Sequence, residues 1–130
     1  MEKNNFTCKK RFKKIICTPF DENSVDRLIH LKFDYLKIAS VSSNDWTLME
    51  RAVENNIPKI ISTGGRKLSD IDKIVSFFGQ KNQNFAIMHC VSIYPTAAKH
   101  IELHNITKLK SRYGNEIKIG WSTHEDPEDI

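Results

Sequence analysis

Tyr35-Leu36-Lys37-Ile38-Ala39-Ser40 is a short apolar run that carries one lysine and closes on a hydroxyl. Four other runs share this form: Ile15-Ile16-Cys17-Thr18, Ile60-Ile61-Ser62-Thr63-Gly64, Phe85 to His89 running on to Ser92, and Ile117-Lys118-Ile119-Gly120-Trp121-Ser122. The runs recur after roughly 20, 24, 27 and 31 residues with helix-like stretches between them, the rhythm of βα units with parallel strands. In parallel α/β folds, ligands bind in the loops that follow the strands. Five strand-end hydroxyls are therefore expected at one mouth. A ring of short donors with one lysine suits a phosphate or a carboxylate.

The chain has 130 residues, of which 39% are apolar, enough for one modest domain with a core. No stretch approaches the length of a transmembrane helix. Met-Glu-Lys-Asn-Asn at the start has no apolar run behind it and does not read as a secretory signal. Cys8, Cys17 and Cys90 are too few and too scattered for a disulfide framework, so the cytoplasm is the expected compartment. Formal net charge is +4, and much of the excess sits in Lys9-Lys10-Arg11-Phe12-Lys13-Lys14. Only Phe12 interrupts that run, so no base-stacking platform for nucleic acid is evident. Residues 1–14 read as a basic, flexible arm, and residues 15–130 as the folded α/β domain.

Between the strands, local signals place the helices. Asp21 is the expected N-cap of a helix reaching about Leu31, with Val25, Leu28 and Ile29 on its apolar face. Trp46, Met49, Ala52 and Val53 mark a second helix that Asn55-Asn56 ends before Pro58. Gly64-Gly65 permits a positive φ or a close backbone approach. Ser69 and Asp72 are spaced as a capping box for a third helix that Gly79 would stop. A fourth helix is expected near Ile106–Tyr113, terminated by Gly114.

The strand-end motifs together resemble the sialic acid synthase family, which condenses phosphoenolpyruvate (PEP) with an N-acyl hexosamine. The matching pieces are Cys17-Thr18-Pro19-Phe20-Asp21, Lys37-Ile38-Ala39-Ser40, Ile61-Ser62-Thr63-Gly64, His89-Cys90-Val91-Ser92-Ile93-Tyr94-Pro95 and Gly120-Trp121-Ser122-Thr123-His124. The resemblance implies a partial TIM (β/α)₈ barrel whose five parallel strands correspond to the family's third to seventh. A whole barrel takes roughly 250 residues, so the expectation is a truncated segment of the catalytic domain. The family's first two strands, its eighth strand with a second metal-binding histidine, and its C-terminal antifreeze-like domain have no counterpart here.

The resemblance also implies the roles of single residues. Lys37 would be catalytic and would hold the PEP anion, with Thr18, Ser40, Ser62, Ser92 and Ser122 as further PEP-binding groups. Tyr94 and Ser42 would face the sugar, Ser42 standing where many members carry an acidic residue. His124 would be a catalytic ligand to manganese or another divalent metal, which would polarise the sugar aldehyde. The expected product is a nonulosonic (sialic-type) acid plus phosphate, made by a homodimer. The alternative is an inactive barrel fragment with weak anion binding. The residues themselves raise one conflict, because strict alternation puts Lys37 and Ser40 on opposite faces of their strand.

Overall fold

A computed structural model describes residues 13–125. The basic arm expected over residues 1–14 therefore lies almost entirely outside the described residues. At its end, the Lys14 ammonium pairs with Asp34 at 3.2 Å.

Each apolar run forms a strand. In chain order these are β1 (Ile16–Cys17), β2 (Tyr35–Ile38), β3 (Lys59–Ser62), β4 (Phe85–His89) and β5 (Lys118–Trp121). They make one parallel sheet in the order β1-β2-β3-β4-β5. Sequential order with parallel neighbours describes a barrel wall, whereas a doubly wound sheet reverses its direction at a switch point. The helices between the strands are α1 (Glu22–His30), α2 (Trp46–Val53), α3 (Leu68–Gln80) and α4 (His104–Tyr113).

Alternation splits the sheet into two faces. Leu36 and Ile38 of β2, Ile61 of β3 and Ile87 of β4 are fully buried against the helices. Residues of opposite parity line the other face. Register places Lys37, Ile60, Ala86 and Lys118 in one row across four strands. Ser62, Met88 and Gly120 form the next row toward the strand ends.

One hydrogen bond shows that this second face is concave. The Lys37 ammonium lies 3.3 Å from the Ser122 hydroxyl, just past β5. In a flat sheet, β2 and β5 stand roughly 14 Å apart, beyond the reach of a lysine. The sheet must therefore curl, as a barrel wall does.

The helix signals hold in part. Asp21 caps α1, accepting the Ser24 N–H at 2.7 Å. Asp45 caps α2 through the Leu48 N–H at 3.1 Å, and the Asn55 side-chain amide closes its far end on the Ala52 carbonyl. The expected capping box of α3 is not formed. The helix starts at Leu68, so Ser69 lies inside it rather than at its cap, and no side chain caps Lys67. Asp72 turns instead to α4. There it accepts two bonds from Arg112, at 2.8 and 2.9 Å, and one from the Tyr113 hydroxyl. That bidentate partner holds the Asp72 carboxyl below the usual range. Nor does Gly79 stop α3. The helix runs on to Gln80, and Asn82, at φ 51°, makes the turn. The fourth helix begins at His104, two residues before its expected start, and Gly114 ends it by donating its N–H to Lys110.

Candidate functional site

Every strand-end residue singled out above sits at the carboxyl end of the sheet. Lys37 is half-buried on the concave face, its stem along β2 and its ammonium at Ser122. Ser122 is fixed by its own N–H, which donates to the His89 carbonyl at 2.9 Å. Ser62 is 2% exposed, and its hydroxyl finds no partner among the described residues. A buried hydroxyl without a hydrogen-bond partner is costly. It lies one row above Lys37 on the same face.

The conflict over Ser40 resolves because β2 ends at Ile38. Ser40 opens a 3₁₀ turn, Ser40–Ser42, which takes it out of strand alternation. Its hydroxyl accepts the Gly64 N–H at 2.9 Å. Both glycines are used as their chemistry allows: Gly65 adopts φ +71°, and Gly64 allows the close approach. A Cβ at Gly64 would lie 2.3 Å from the Ser92 hydroxyl, 2.9 Å from the Ser40 hydroxyl and 3.2 Å from the Cys90 carbonyl. Three loops thus converge on one glycine.

That convergence carries a test. Ser92 is exposed and its hydroxyl can swing aside, but Ser40 and the Cys90 carbonyl are held. Gly64→Ala is expected to destabilise the chain by about 1–2 kcal/mol through overpacking and the displaced Ser40 bond. Urea denaturation measures it, and a variant as stable as the parent would show that the loops are loose.

On the β4 and β5 loops, the Tyr94 and His124 rings pack with centroids 4.2 Å apart. The His124 carbonyl accepts the Thr96 N–H at 2.8 Å, tying the two loops together. Thr18 is half-buried one residue past β1, where the register leads onto the row of Lys37. Ser42 is 7% exposed, inside the turn it helps form. Among the described residues, no hydrogen bond joins Thr18 or Ser42 to the other groups. The structure therefore pairs Lys37 with Ser122 and Tyr94 with His124, and brings the Ser40 and Ser92 hydroxyls both up to Gly64.

His124 is the residue in line for a metal. Among the described residues, no group of three His, Cys, Asp or Glu side chains is placed to hold an ion. One imidazole does not make a tight site. His89, beside Cys90, is a core residue: its Nε2–H donates to the Ile101 carbonyl at 2.8 Å.

Two cations near the mouth escaped the sequence reading. Lys118 is exposed at the far end of the row that begins with Lys37. Its signal was present, a lysine in an apolar run with the alternation of Lys37. Arg66 gave no signal beyond following the two glycines. Its guanidinium bridges back to the β2 loop, donating to the Ser43 hydroxyl at 2.9 Å and the Ser40 carbonyl at 2.8 Å. Beside the rim, a cleft of about 1230 Å³ opens between α3 and α4, sharing Thr63, Gly65 and Ser92 with it. Lys37 and Ser122 are not part of that cleft.

Comparison with known proteins places this arrangement. The family profile described as the NeuB family matches residues 2–130. A Drosophila melanogaster protein, N-acetylneuraminate-9-phosphate synthase, is 34% identical over 119 residues, covering 91% of this chain and 32% of that protein. A solved Chromobacterium violaceum structure, assigned to spore coat polysaccharide biosynthesis, superposes with a TM-score of 0.93 at 44% identity, covering 98% of this chain and 38% of that one. The N-acetylneuraminic acid synthetase of Leptospira borgpetersenii, solved in complex with citrate, gives a TM-score of 0.88 at 34% identity, covering 96% and 45%. The chain spans about a third of the length of the curated relatives it matches.

Proposed function

The chain belongs to the NeuB family, and from that premise we propose that its concave mouth holds PEP for condensation with an N-acyl hexosamine, giving a nonulosonic acid and phosphate. The observation that carries the reading is the Lys37–Ser122 pairing across the sheet, with the unpartnered Ser62 hydroxyl on the same face. A cation and short hydroxyls on one concave surface are what a small anion bearing a carboxylate and a phosphate requires. The citrate-bound Leptospira relative is consistent with a polycarboxylate-sized ligand.

In this reading, Lys37 and the hydroxyls fix the PEP phosphate and carboxylate and thereby orient the enol carbon. C3 of PEP forms the new bond to the aldehyde carbon of the open-chain sugar, and the aldehyde oxygen takes up a proton. Water adds at C2, and phosphate leaves with the C–O bonding pair, completing the keto acid. The fixed cation answers the anionic charge throughout. Tyr94, 67% exposed and packed at a tilt against His124, marks the end of the mouth where the sugar would sit. A divalent metal such as manganese would take His124 for one ligand. The working assembly is a homodimer in the cytoplasm, a setting that suits the unbridged Cys17 and Cys90.

Calorimetric titration of PEP into the 130-residue chain tests the mouth, and assay of PEP, N-acetylmannosamine and manganese for condensation product tests the reaction. Saturable PEP binding is expected. No heat of binding at millimolar PEP would remove the proposal.

A further inference from the structure

Ser40 is gripped from two sides by the loop after β3. Its hydroxyl accepts the Gly64 N–H at 2.9 Å. Its carbonyl accepts from the Arg66 guanidinium at 2.8 Å and from the Ser43 hydroxyl at 2.8 Å. Ser43 is fully buried and in turn accepts the Arg66 Nε–H at 2.9 Å. A further, longer contact runs from Arg66 to the Val41 carbonyl, 3.3 Å away. Arg66 is itself held, because its N–H donates to the Thr63 carbonyl, and Thr63 is anchored on Met88 of β4 by both N–H and hydroxyl.

We propose that Arg66 is a positioning residue for the anion mouth, setting the Ser40 hydroxyl so that its proton points outward to the ligand. The chemistry follows from counting donors. A hydroxyl has one proton and two lone pairs. Once the Gly64 N–H occupies an acceptor position, the Ser40 proton remains to be donated away from the loop. Arg66 holds the backbone from which that hydroxyl projects. The task needs a planar fork, since one guanidinium serves a carbonyl and a hydroxyl at once. An ammonium supplies the charge without that geometry. The inference rests on the reading of the mouth as a PEP site, and it names the group that keeps one of its donors aimed.

Native-state amide hydrogen exchange at Gly64 reads the device directly, because that N–H bonds to the Ser40 hydroxyl. In Arg66→Met, Gly64 exchange is expected to speed up by about tenfold, while Ile61 in the ladder below keeps its rate. PEP affinity should fall by about tenfold in Arg66→Met and equally in Arg66→Lys, since charge without the fork does not hold the turn. Ser43→Ala should move Gly64 exchange in the same direction, by less. Unchanged Gly64 exchange in Arg66→Met would overturn the inference. So would Arg66→Lys with parental exchange and affinity, because Arg66 would then act by charge alone. If the parent chain fails to bind PEP, the reading of the mouth falls, and the Gly64 measurement still decides the role of Arg66.

Discussion

Lys37→Met is expected to weaken PEP binding by about a hundredfold if the concave face is the PEP site, the change that follows when a cation bonded into an anion site is removed. Methionine keeps the length and the apolar stem of lysine, so packing along β2 is preserved and only the charge and its donors go. Folding stability should hold or rise. A half-buried ammonium whose recorded partner is one neutral hydroxyl, at 3.3 Å, contributes little to the fold. Loss of affinity without loss of stability is the signature of a binding residue. Lys118→Met is the comparison. It removes a cation from the same row, but an exposed one, where salt screening leaves an effect of only about twofold to threefold. Calorimetric titration of both variants at moderate salt decides the matter. A Lys37→Met variant that binds PEP within threefold of the parent would move the anion away from this face.

How much of this was legible depended on how local each signal is. The strands were readable because a strand buried on one face and lining a mouth on the other still shows a continuous apolar run, whatever lies around it. The hydroxyls at the run ends followed, since ligand loops succeed strands in any such sheet. Asp72 was misread for the opposite reason. Its spacing from Ser69 fits a capping box, but its partners, Arg112 and Tyr113, are about 40 residues away on another helix. Arg66 was invisible because its acceptors are a backbone carbonyl and a hydroxyl of a different loop, which leave no mark in its own surroundings. Ser40 shows the limit of periodicity. Alternation sends it to the wrong face, and only the end of β2 at Ile38 frees it. The curl that brings Lys37 to Ser122 is likewise a property of the whole sheet, so the βα rhythm predicts a shared mouth but not which hydroxyl meets the lysine.

The second large effect concerns a lysine that the same logic overlooked. Lys59 opens β3 at the head of an apolar run, and Lys37 sits within one in β2, yet Lys59 faces the helices and is 1% exposed. It stands at the amino end of its strand, the stability end of a barrel wall, while Lys37 serves the carboxyl end. Its ammonium donates to the Asn55 carbonyl and the Gln83 side chain, two neutral acceptors. Burial pushes its pKa down to about 8. Below pH 8 both folded and unfolded chains carry the proton, and the folded state bears the full cost of the buried charge. Between about 8 and 10.5 the unfolded chain keeps a proton that the folded chain has lost, so stability rises with pH by roughly 1.4 kcal/mol per unit, on the order of 3 kcal/mol in all. Tyr113 works against this at higher pH. Its burial, aided by the Asp72 carboxylate, raises the phenol to about 12, so the fold loses stability above pH 10. Subtracting the curve of Lys59→Met isolates the lysine. At pH 7 the variant should lie near the parent, since removing the buried charge offsets two acceptors left without a donor. By pH 10 the parent should be ahead by a few kcal/mol. Denaturant unfolding of both chains from pH 7 to 10.5 measures the difference, and a flat difference curve would mean that the Lys59 ammonium is solvated after all.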